Sequence, residues 1–164
     1  MHIRPAQLSD LPHILSIYEN ARSFMAQNGN PTQWVNGYPA RSVLEDDIAQ
    51  NRLFLCEKND LIEAVFMFWI GDDPTYSHIE DGSWKNDKPY GTIHRLASSG
   101  RIPKLADTCI DWCAAQCALQ NASLRGDTHQ DNLPMQSVFA RNGFLRCGII
   151  YTEDGSPRIA FQRG

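Results

Sequence analysis

The sequence lacks the features that would assign the chain to several special classes of protein. It has no run of lysine and arginine long enough to follow the phosphates of a nucleic acid, and its net charge is −4. Its most apolar run, residues 64–70, is too short to cross a bilayer, and its first residues contain no apolar signal region. We therefore expect no nucleic-acid partner, no membrane partner and a cytoplasmic location.

Cysteine is present, but its pattern does not indicate a disulfide framework. The 5 cysteines are an odd number without a recurrent CxxC pair, which favours reduced thiols in a cytosolic protein. Cys109, Cys113 and Cys117 recur on one helix face, a spacing that would also allow a metal site. Zinc usually needs a second pair of ligands from another element, and a thiol packs well as a small apolar group. We therefore favour core packing and predict no metal.

The length and composition indicate an ordinary globular domain. With 164 residues the chain can build one core, whereas two domains would each lie near the lower size limit. Hydrophobic residues make up 42% and charged residues 21%, as in most globular proteins, and we see no internal repeat. The sequence therefore predicts a single domain over residues 1–164.

Hydrophobic periodicity predicts two helices near the beginning of the chain. Ser9 can cap a helix whose apolar residues recur every three and four positions, and Asn28-Gly29 provides its end. Residues 28–40 are rich in Gly, Asn and Pro and predict an irregular loop. Residues 42–45 match a capping box, which predicts a short helix that continues to about Gln50.

The middle of the chain predicts a hairpin followed by a long loop. Residues 53–58 and 61–70 have strand-like composition, and Asn59-Asp60 suits the two-residue turn between them. Residues 71–89 contain Gly, Asp, Pro and Asn throughout and predict mostly loop, with a short strand over residues 76–80.

The second half predicts strands that alternate with helices. The strands are expected at residues 90–97, 122–128, 144–151 and 158–162, and the helices at residues 104–119 and from Asn132 to Asn142-Gly143. The two β-α-β passages predict parallel pairing and the hairpins antiparallel pairing. The expected fold is therefore α/β (α+β), a mixed and mostly antiparallel sheet of about six to seven strands flanked by about four helices.

Three stretches in this order resemble the GCN5-related N-acetyltransferase (GNAT) superfamily over nearly the whole chain. They are the opening residues 3–11, the strand-loop-helix passage over residues 90–112, and the Asn-led helix of residues 131–144 that ends in Asn-Gly-Phe. The resemblance implies that two neighbouring parallel strands, residues 90–97 and 122–128, splay apart and admit acetyl-coenzyme A. It is also compatible with a homodimer.

The resemblance also implies which residues bind acetyl-coenzyme A. Leu96 and Ala97 would pair with the pantetheine arm through their backbone. The pyrophosphate would meet the loop that opens the following helix, where N–H groups and the helix dipole favour an anion. That loop comprises Arg101, Ile102, Lys104, Leu105 and Ala106.

The loop departs from the family pattern at one glycine. Arg101 and Ala106 fit the pattern, but Lys104 stands where its first glycine belongs. A glycine there allows close approach of phosphate to the backbone, so Lys104 is expected to weaken the binding. Its ammonium group could compensate by pairing with the pyrophosphate. The alternative is that Arg101 and Lys104 are two solvated charges without a role in binding.

The candidate general acid and base residues also differ from the family pattern. Many members carry a glutamate on the strand before the loop, where Thr92 stands here. His94 and His129 are the side chains whose pKa lies closest to neutrality, and Asp127 could orient a water or the amine. Each of the three could instead be a structural residue.

The last helix contributes two further candidates. Phe139 aligns with the family's usual tyrosine acid, and a thiolate leaves fairly well without that phenol. Asn132 is expected to cap the helix and, by the resemblance, to contact the pantetheine arm.

By the resemblance, the loops that carry Trp34, Tyr38 and Trp84 are expected to cover the side of the site where the acceptor amine binds. These aromatic residues could alternatively pack their loops against the core. The sequence thus predicts an N-acetyltransferase for a primary amine of a small molecule or peptide. A catalytically weakened acyl-coenzyme A-binding or regulatory protein is the alternative, and a scaffold of the same fold without nucleotide affinity is a third.

Overall fold

The computed structural model describes residues 1–164 and follows the predicted order of strands and helices. The strands are β1 (His2–Pro5), β2 (Leu53–Lys58), β3 (Leu61–Ile70), β4 (Tyr90–Ser98), β5 (Ser123–Thr128), β6 (Leu145–Tyr151) and β7 (Pro157–Arg163). The helices are α1 (Leu11–Gln27), α2 (Arg41–Ala49), α3 (Leu105–Leu119) and α4 (Leu133–Arg141). No helix combines the length and the apolar character that a bilayer-spanning segment requires.

The strands form a 7-stranded sheet in the order β1-β2-β3-β4-β5-β7-β6. The β1–β2, β2–β3, β5–β7 and β6–β7 neighbours are antiparallel, and β4 and β5 are parallel. The mixed, mostly antiparallel sheet with four flanking helices is therefore confirmed. The predicted hairpin turn is confirmed too, because Asn59 and Asp60 both adopt positive φ (51° and 61°), as a two-residue turn of this kind requires.

The predicted cap of the first helix is wrong. Ser9 lies within a 3-10 turn, Leu8–Asp10, and α1 begins only at Leu11. Gln7 is the N-cap of this turn, and Asp10 at its third position accepts a hydrogen bond of 2.8 Å from the backbone N–H of Gln7. The Asp10 carboxylate also accepts a hydrogen bond of 2.8 Å from Arg4, but its side chain makes no cap hydrogen bond to α1.

The predicted capping box of the second helix is also wrong. Helix α2 begins at Arg41, so Ser42 is its second residue rather than its cap. The carboxylate of Glu45, which would reach back in a capping box, accepts a hydrogen bond of 2.6 Å from Arg41.

The short strand expected at residues 76–80 is absent. A 3-10 turn, Pro74–Tyr76, opens this stretch, and the Asp73 side chain accepts a hydrogen bond of 2.9 Å from the backbone N–H of Thr75. Asp and Pro together favour a turn over an extended strand. What remains of the expected strand is one isolated bridge between Glu80 and Ile149.

The chain divides into two compact units. The first comprises residues 1–68 and 94–109, with α1, α2 and β1–β3 around a buried core that includes Ile14, Tyr18, Leu44 and Leu55. The second comprises residues 69–93 and 110–164, with β5–β7 and α4. The cysteines of α3 are buried, so core packing is confirmed for Cys109, Cys113 and Cys117, and no cysteine forms a disulfide.

The position of α4 on the sheet depends on the absence of a side chain at one residue. The ring of Phe139 stacks on Phe161 with 4.8 Å between centroids and lies over Gly126 of β5. A Cβ built at Gly126 would stand 2.8 Å from the Phe139 ring and 3.5 Å from Ile93, and Gly126 does not need a positive φ. Space for the phenylalanine ring is therefore what this position requires.

We expect Gly126→Ala to lower the free energy of unfolding by about 1–3 kcal/mol, because the new methyl group overpacks the core. Urea unfolding measures the change. In a Phe139→Leu background the same substitution should cost less, since the smaller side chain leaves room. An equal cost in both backgrounds would show that Phe139 is not the obstacle.

Candidate active site

The pairing of the two parallel strands is short. Its Cα partners run from Tyr90 with Ser123 to Thr92 with Arg125, whereas β4 continues to Ser98 and β5 to Thr128. Leu96 and Ala97 of β4 lie beyond the last pair with β5; the Leu96 side chain is half-buried and Ala97 is 5% exposed.

The turn that opens α3 has an unusual backbone at its last residue. Lys104 is exposed and adopts a φ of 57°, in the left-handed region that glycine enters most easily. Leu105 follows as the first helical residue and is 2% exposed, and Ile102 and Ala106 are half-buried. The lysine therefore keeps a glycine-like conformation, which in a non-glycine residue costs on the order of 1–3 kcal/mol.

Arg101 lies in the same turn and is held by a buried carboxylate of β3. Its Nη2 is 3.0 Å from Oε2 of Glu63, and its Nε donates to Oε1 over 3.3 Å. The side chain of Arg101 is 60% exposed and that of Glu63 only 6%. The turn before α3 thus carries two exposed cations, one of them already paired.

The first unit contains a buried ion pair that sequence analysis missed. Arg95 of β4 donates from Nη2 to Oδ2 of Asp47 over 2.5 Å and from Nη1 to the Tyr38 hydroxyl over 3.2 Å. Burial raises the pKa of the Asp47 carboxyl, while the charge of Arg95 acts in the other direction. Asp47 follows Leu44 by three positions, which places both on one helix face, and this spacing was the available signal.

Arg95 also has a left-handed backbone inside a strand. Its φ is 52°, and its carbonyl accepts a hydrogen bond of 2.7 Å from the hydroxyl of the fully buried Tyr18. An outlier held by several partners is typical of functional sites. His94, the neighbouring catalytic candidate, is half-buried and lies close enough to lower the pKa of Asp47 electrostatically.

The aromatic residues of the loop between α1 and α2 pack against the first unit. The Trp34 ring lies 5.6 Å from that of Tyr18 and 6.4 Å from that of Tyr38, and both Trp34 and Tyr38 are half-buried. Arg22 of α1 donates to the Tyr38 carbonyl over 3.2 Å. These contacts fix the loop on α1.

The second unit brings Asp127 together with a buried tyrosine. The Tyr76 hydroxyl donates to Oδ2 of Asp127 over 2.6 Å, and Tyr76 is 2% exposed. Burial, reinforced by the negative charge of Asp127, raises the pKa of Tyr76 well above its usual value. The phenol therefore stays protonated and orients the carboxylate as a hydrogen-bond donor.

Trp84 belongs to an aromatic group around Arg125, a second residue that sequence analysis missed. The Arg125 guanidinium lies 4.1 Å from the Trp84 ring and 4.0 Å from the Tyr90 ring, and Arg125 is 5% exposed. The Trp84 indole N–H donates to the Tyr76 carbonyl over 2.9 Å. A single arginine in a strand gives no sequence signal for such cation–π contacts, because its partners, Trp84 in a loop and Tyr90 on β4, are distant in sequence.

Solved structures match this architecture over nearly its whole length. An acetyltransferase of the GNAT family from Streptococcus agalactiae 2603 has a TM-score of 0.83 and 28% identity, covering 99% of this chain and 94% of its own. A candidate acetyltransferase from Staphylococcus aureus Mu50 has a TM-score of 0.74 and 25% identity, covering 100% of this chain and 99% of its own.

A GNAT-family acetyltransferase from Listeria monocytogenes 4b F2365, with a TM-score of 0.74 and 17% identity over 99% of this chain and 93% of its own, supports the fold alone. No protein-family model and no curated protein matches the sequence. The chain belongs to the GNAT superfamily.

Two candidates of this GNAT protein lie around the entry to α4. Asn132 caps α4, as predicted, since its side chain accepts a hydrogen bond of 3.1 Å from the backbone N–H of Met135. His129 precedes it, and its Nδ1 accepts a hydrogen bond of 3.0 Å from the backbone N–H of Asp131. The neutral ring therefore carries its proton on Nε2 and presents a donor there, and burial together with Arg158 lowers the pKa of His129.

The remaining GNAT positions that depart from the family pattern are buried. Phe139, at the position of the usual tyrosine acid, is 1% exposed and lies 4.8 Å from both Phe144 and Phe161. Thr92, at the position of the usual glutamate, is fully buried. Phenylalanine has no proton to exchange, and the hydroxyl group of Thr92 is shielded from solvent.

We expect Asp47→Asn to lower the free energy of unfolding by about 3 kcal/mol, because it leaves the buried charge of Arg95 uncompensated. Glu45→Gln, which removes the exposed carboxylate of a second arginine pair on α2, is the matched control and should change it by less than about 0.5 kcal/mol. Urea unfolding at pH 7 measures both. Similar small effects in the two variants would mean that Asp47 does not stabilise Arg95.

Proposed function

We propose that this GNAT protein transfers an acetyl group from acetyl-coenzyme A to a primary amine of a small molecule or peptide, by direct attack in a ternary complex. The observation that carries the proposal is the short pairing of β4 with β5. Leu96 and Ala97 lie beyond it, at the positions where the family resemblance implies that the pantetheine arm binds.

The chemistry of the turn before α3 fits a diphosphate. The first N–H groups of a helix have no intrahelical partners, and the helix dipole favours negative charge there. Arg101 and Lys104 add two exposed cations at this end of α3, and Lys104 has a left-handed backbone, which glycine adopts most easily. The donor set thus supports binding of an anionic cofactor by α3.

The reaction needs a neutral amine, because an amine of pKa about 10.4 is mostly protonated at pH 7. Acetyl-coenzyme A supplies a thioester whose carbonyl carbon accepts the nitrogen lone pair. A C–N bond forms, the C–S bond breaks, and the amine proton ends on the coenzyme A thiol. The chain itself must hold the amine and accept its proton on the way.

Among the three catalytic candidates, we propose Asp127 for this role. Its carboxylate can only accept hydrogen bonds when ionised, and Tyr76 fixes its orientation over 2.6 Å. The neutral ring of His129 already uses its acceptor nitrogen for the Asp131 backbone. We therefore propose that Asp127 accepts a hydrogen bond from the amine, or from a water that carries its proton away.

We expect Lys104→Glu to weaken acetyl-coenzyme A binding by about tenfold or more, because it places a negative charge beside the diphosphate, and Lys104→Gly to weaken it far less. Calorimetry or ligand-induced thermal stabilisation measures the affinity. Lys58→Glu makes the same charge change at an exposed lysine of β2 and is the control. Equal affinity in the two Lys104 variants would show that Lys104 does not face phosphate.

We expect Asp127→Asn to lower kcat/KM at least about 10²-fold in a thiol-release assay with a panel of amines, the size of a lost general-base effect. Asp131→Asn, a neighbouring carboxylate that is 51% exposed, should change it little. Retained activity in Asp127→Asn would exclude this role. Acetyl-coenzyme A binding without thiol release from any amine would instead favour an acyl-coenzyme A-binding protein.

A further inference from the structure

Glu63 is a buried carboxylate directly beneath the turn that opens α3. It lies on β3, and its side chain is 6% exposed. The Ser99 hydroxyl donates to its Oε2, and the Ser99 backbone N–H donates to the Glu63 carbonyl over 2.7 Å. The glutamate thus fixes the chain where β4 ends and the turn begins.

The same carboxylate occupies one side of the Arg101 guanidinium. Nη2 lies 3.0 Å from Oε2, Nε donates to Oε1 over 3.3 Å, and Nη2 also donates to the Ile62 carbonyl over 3.4 Å. A guanidinium has five N–H groups, and these bonds use Nε and Nη2. The bonds to Glu63 and Ile62 do not use the N–H groups of Nη1, so these donors remain for another anion.

We propose that Glu63 positions the phosphate-binding turn by holding Arg101 and Ser99 in place, and that the negative charge of Glu63 limits the affinity for coenzyme A. The inference rests on the proposed function, in which Arg101 binds the diphosphate. The hydrogen bonds and the charge of Glu63 then have opposite effects on the affinity for coenzyme A. Its hydrogen bonds preorganise the turn, whereas its charge competes with the incoming diphosphate for the Arg101 guanidinium.

Glutamine separates the two effects because its amide oxygen, at the position of Oε2, still accepts from Ser99 and from Nη2 of Arg101, while the negative charge and the weaker bond from Nε at 3.3 Å are lost. Since Arg101 is largely exposed, solvent screens the effect, and we expect Glu63→Gln to bind coenzyme A about three- to fivefold more tightly. Glu63→Ala loses the hydrogen bonds as well and should bind more weakly than Glu63→Gln. The gain in affinity of Glu63→Gln should become smaller as the ionic strength rises.

The test measures the affinity for coenzyme A by calorimetry at low and at high salt. The variants are Glu63→Gln, Glu63→Ala, Arg101→Gln and the double variant Glu63→Gln/Arg101→Gln. Glu57→Gln is the matched control, because Glu57 of β2 forms a similar pair with Arg4 at 2.7 Å. It should leave the affinity unchanged.

A gain in Glu63→Gln that fades with salt and is lost when Arg101 is absent supports the inference. An unchanged or lower affinity in a folded Glu63→Gln protein overturns it, and so does a gain that persists without Arg101 or at high salt. If Glu63→Gln does not fold, Arg101→Gln decides: an affinity equal to that of the wild type overturns the inference. A wild-type protein that does not bind coenzyme A at all overturns the proposed function, and the inference with it.

Discussion

The parallel pairing of β4 and β5 is the constraint on which the candidate site depends. Hydrogen bonding between these strands ends at Thr92 and Arg125, so the residues of β4 that follow need other partners. Arg95 meets this need with its left-handed backbone, its carbonyl bonded to Tyr18 and its side chain paired with Asp47. A strand that leaves its neighbour must have its backbone groups satisfied in another way, because unpaired buried groups are costly.

Three buried charges recur around the functional elements, and each is stabilised differently. Asp47 is paired with an arginine, Glu63 is paired with an arginine and a serine hydroxyl, and Arg125 lies between two aromatic rings. Burial of an ion is tolerated only when such partners replace water. These three charges lie on α2, β3 and β5, and the partners of Asp47 and Glu63 lie on β4 or directly after it.

The sequence predicted the order of the elements well, because their signals are local. Period-two and period-3.6 patterns and the Asn-Gly and Asn-Asp turns depend on neighbouring residues only. The cap at Asn132 was local as well and is confirmed. The caps at Ser9 and Ser42 were wrong because the boundaries were misplaced: Ser9 lies inside a 3-10 turn before α1, and Ser42 is the second residue of α2. The partners of Arg95, Arg101 and Arg125 could not be predicted, since each pair joins residues distant in sequence.

At Lys104 a backbone conformation that is typical of glycine occurs in a residue that is not glycine. Lys104 adopts a left-handed φ of 57° although it is not a glycine. A sequence pattern that looks only for glycine would therefore overlook a left-handed residue at this position. The exposed ammonium group of Lys104 thus stands at the start of α3 on a backbone conformation that most side chains avoid for steric reasons.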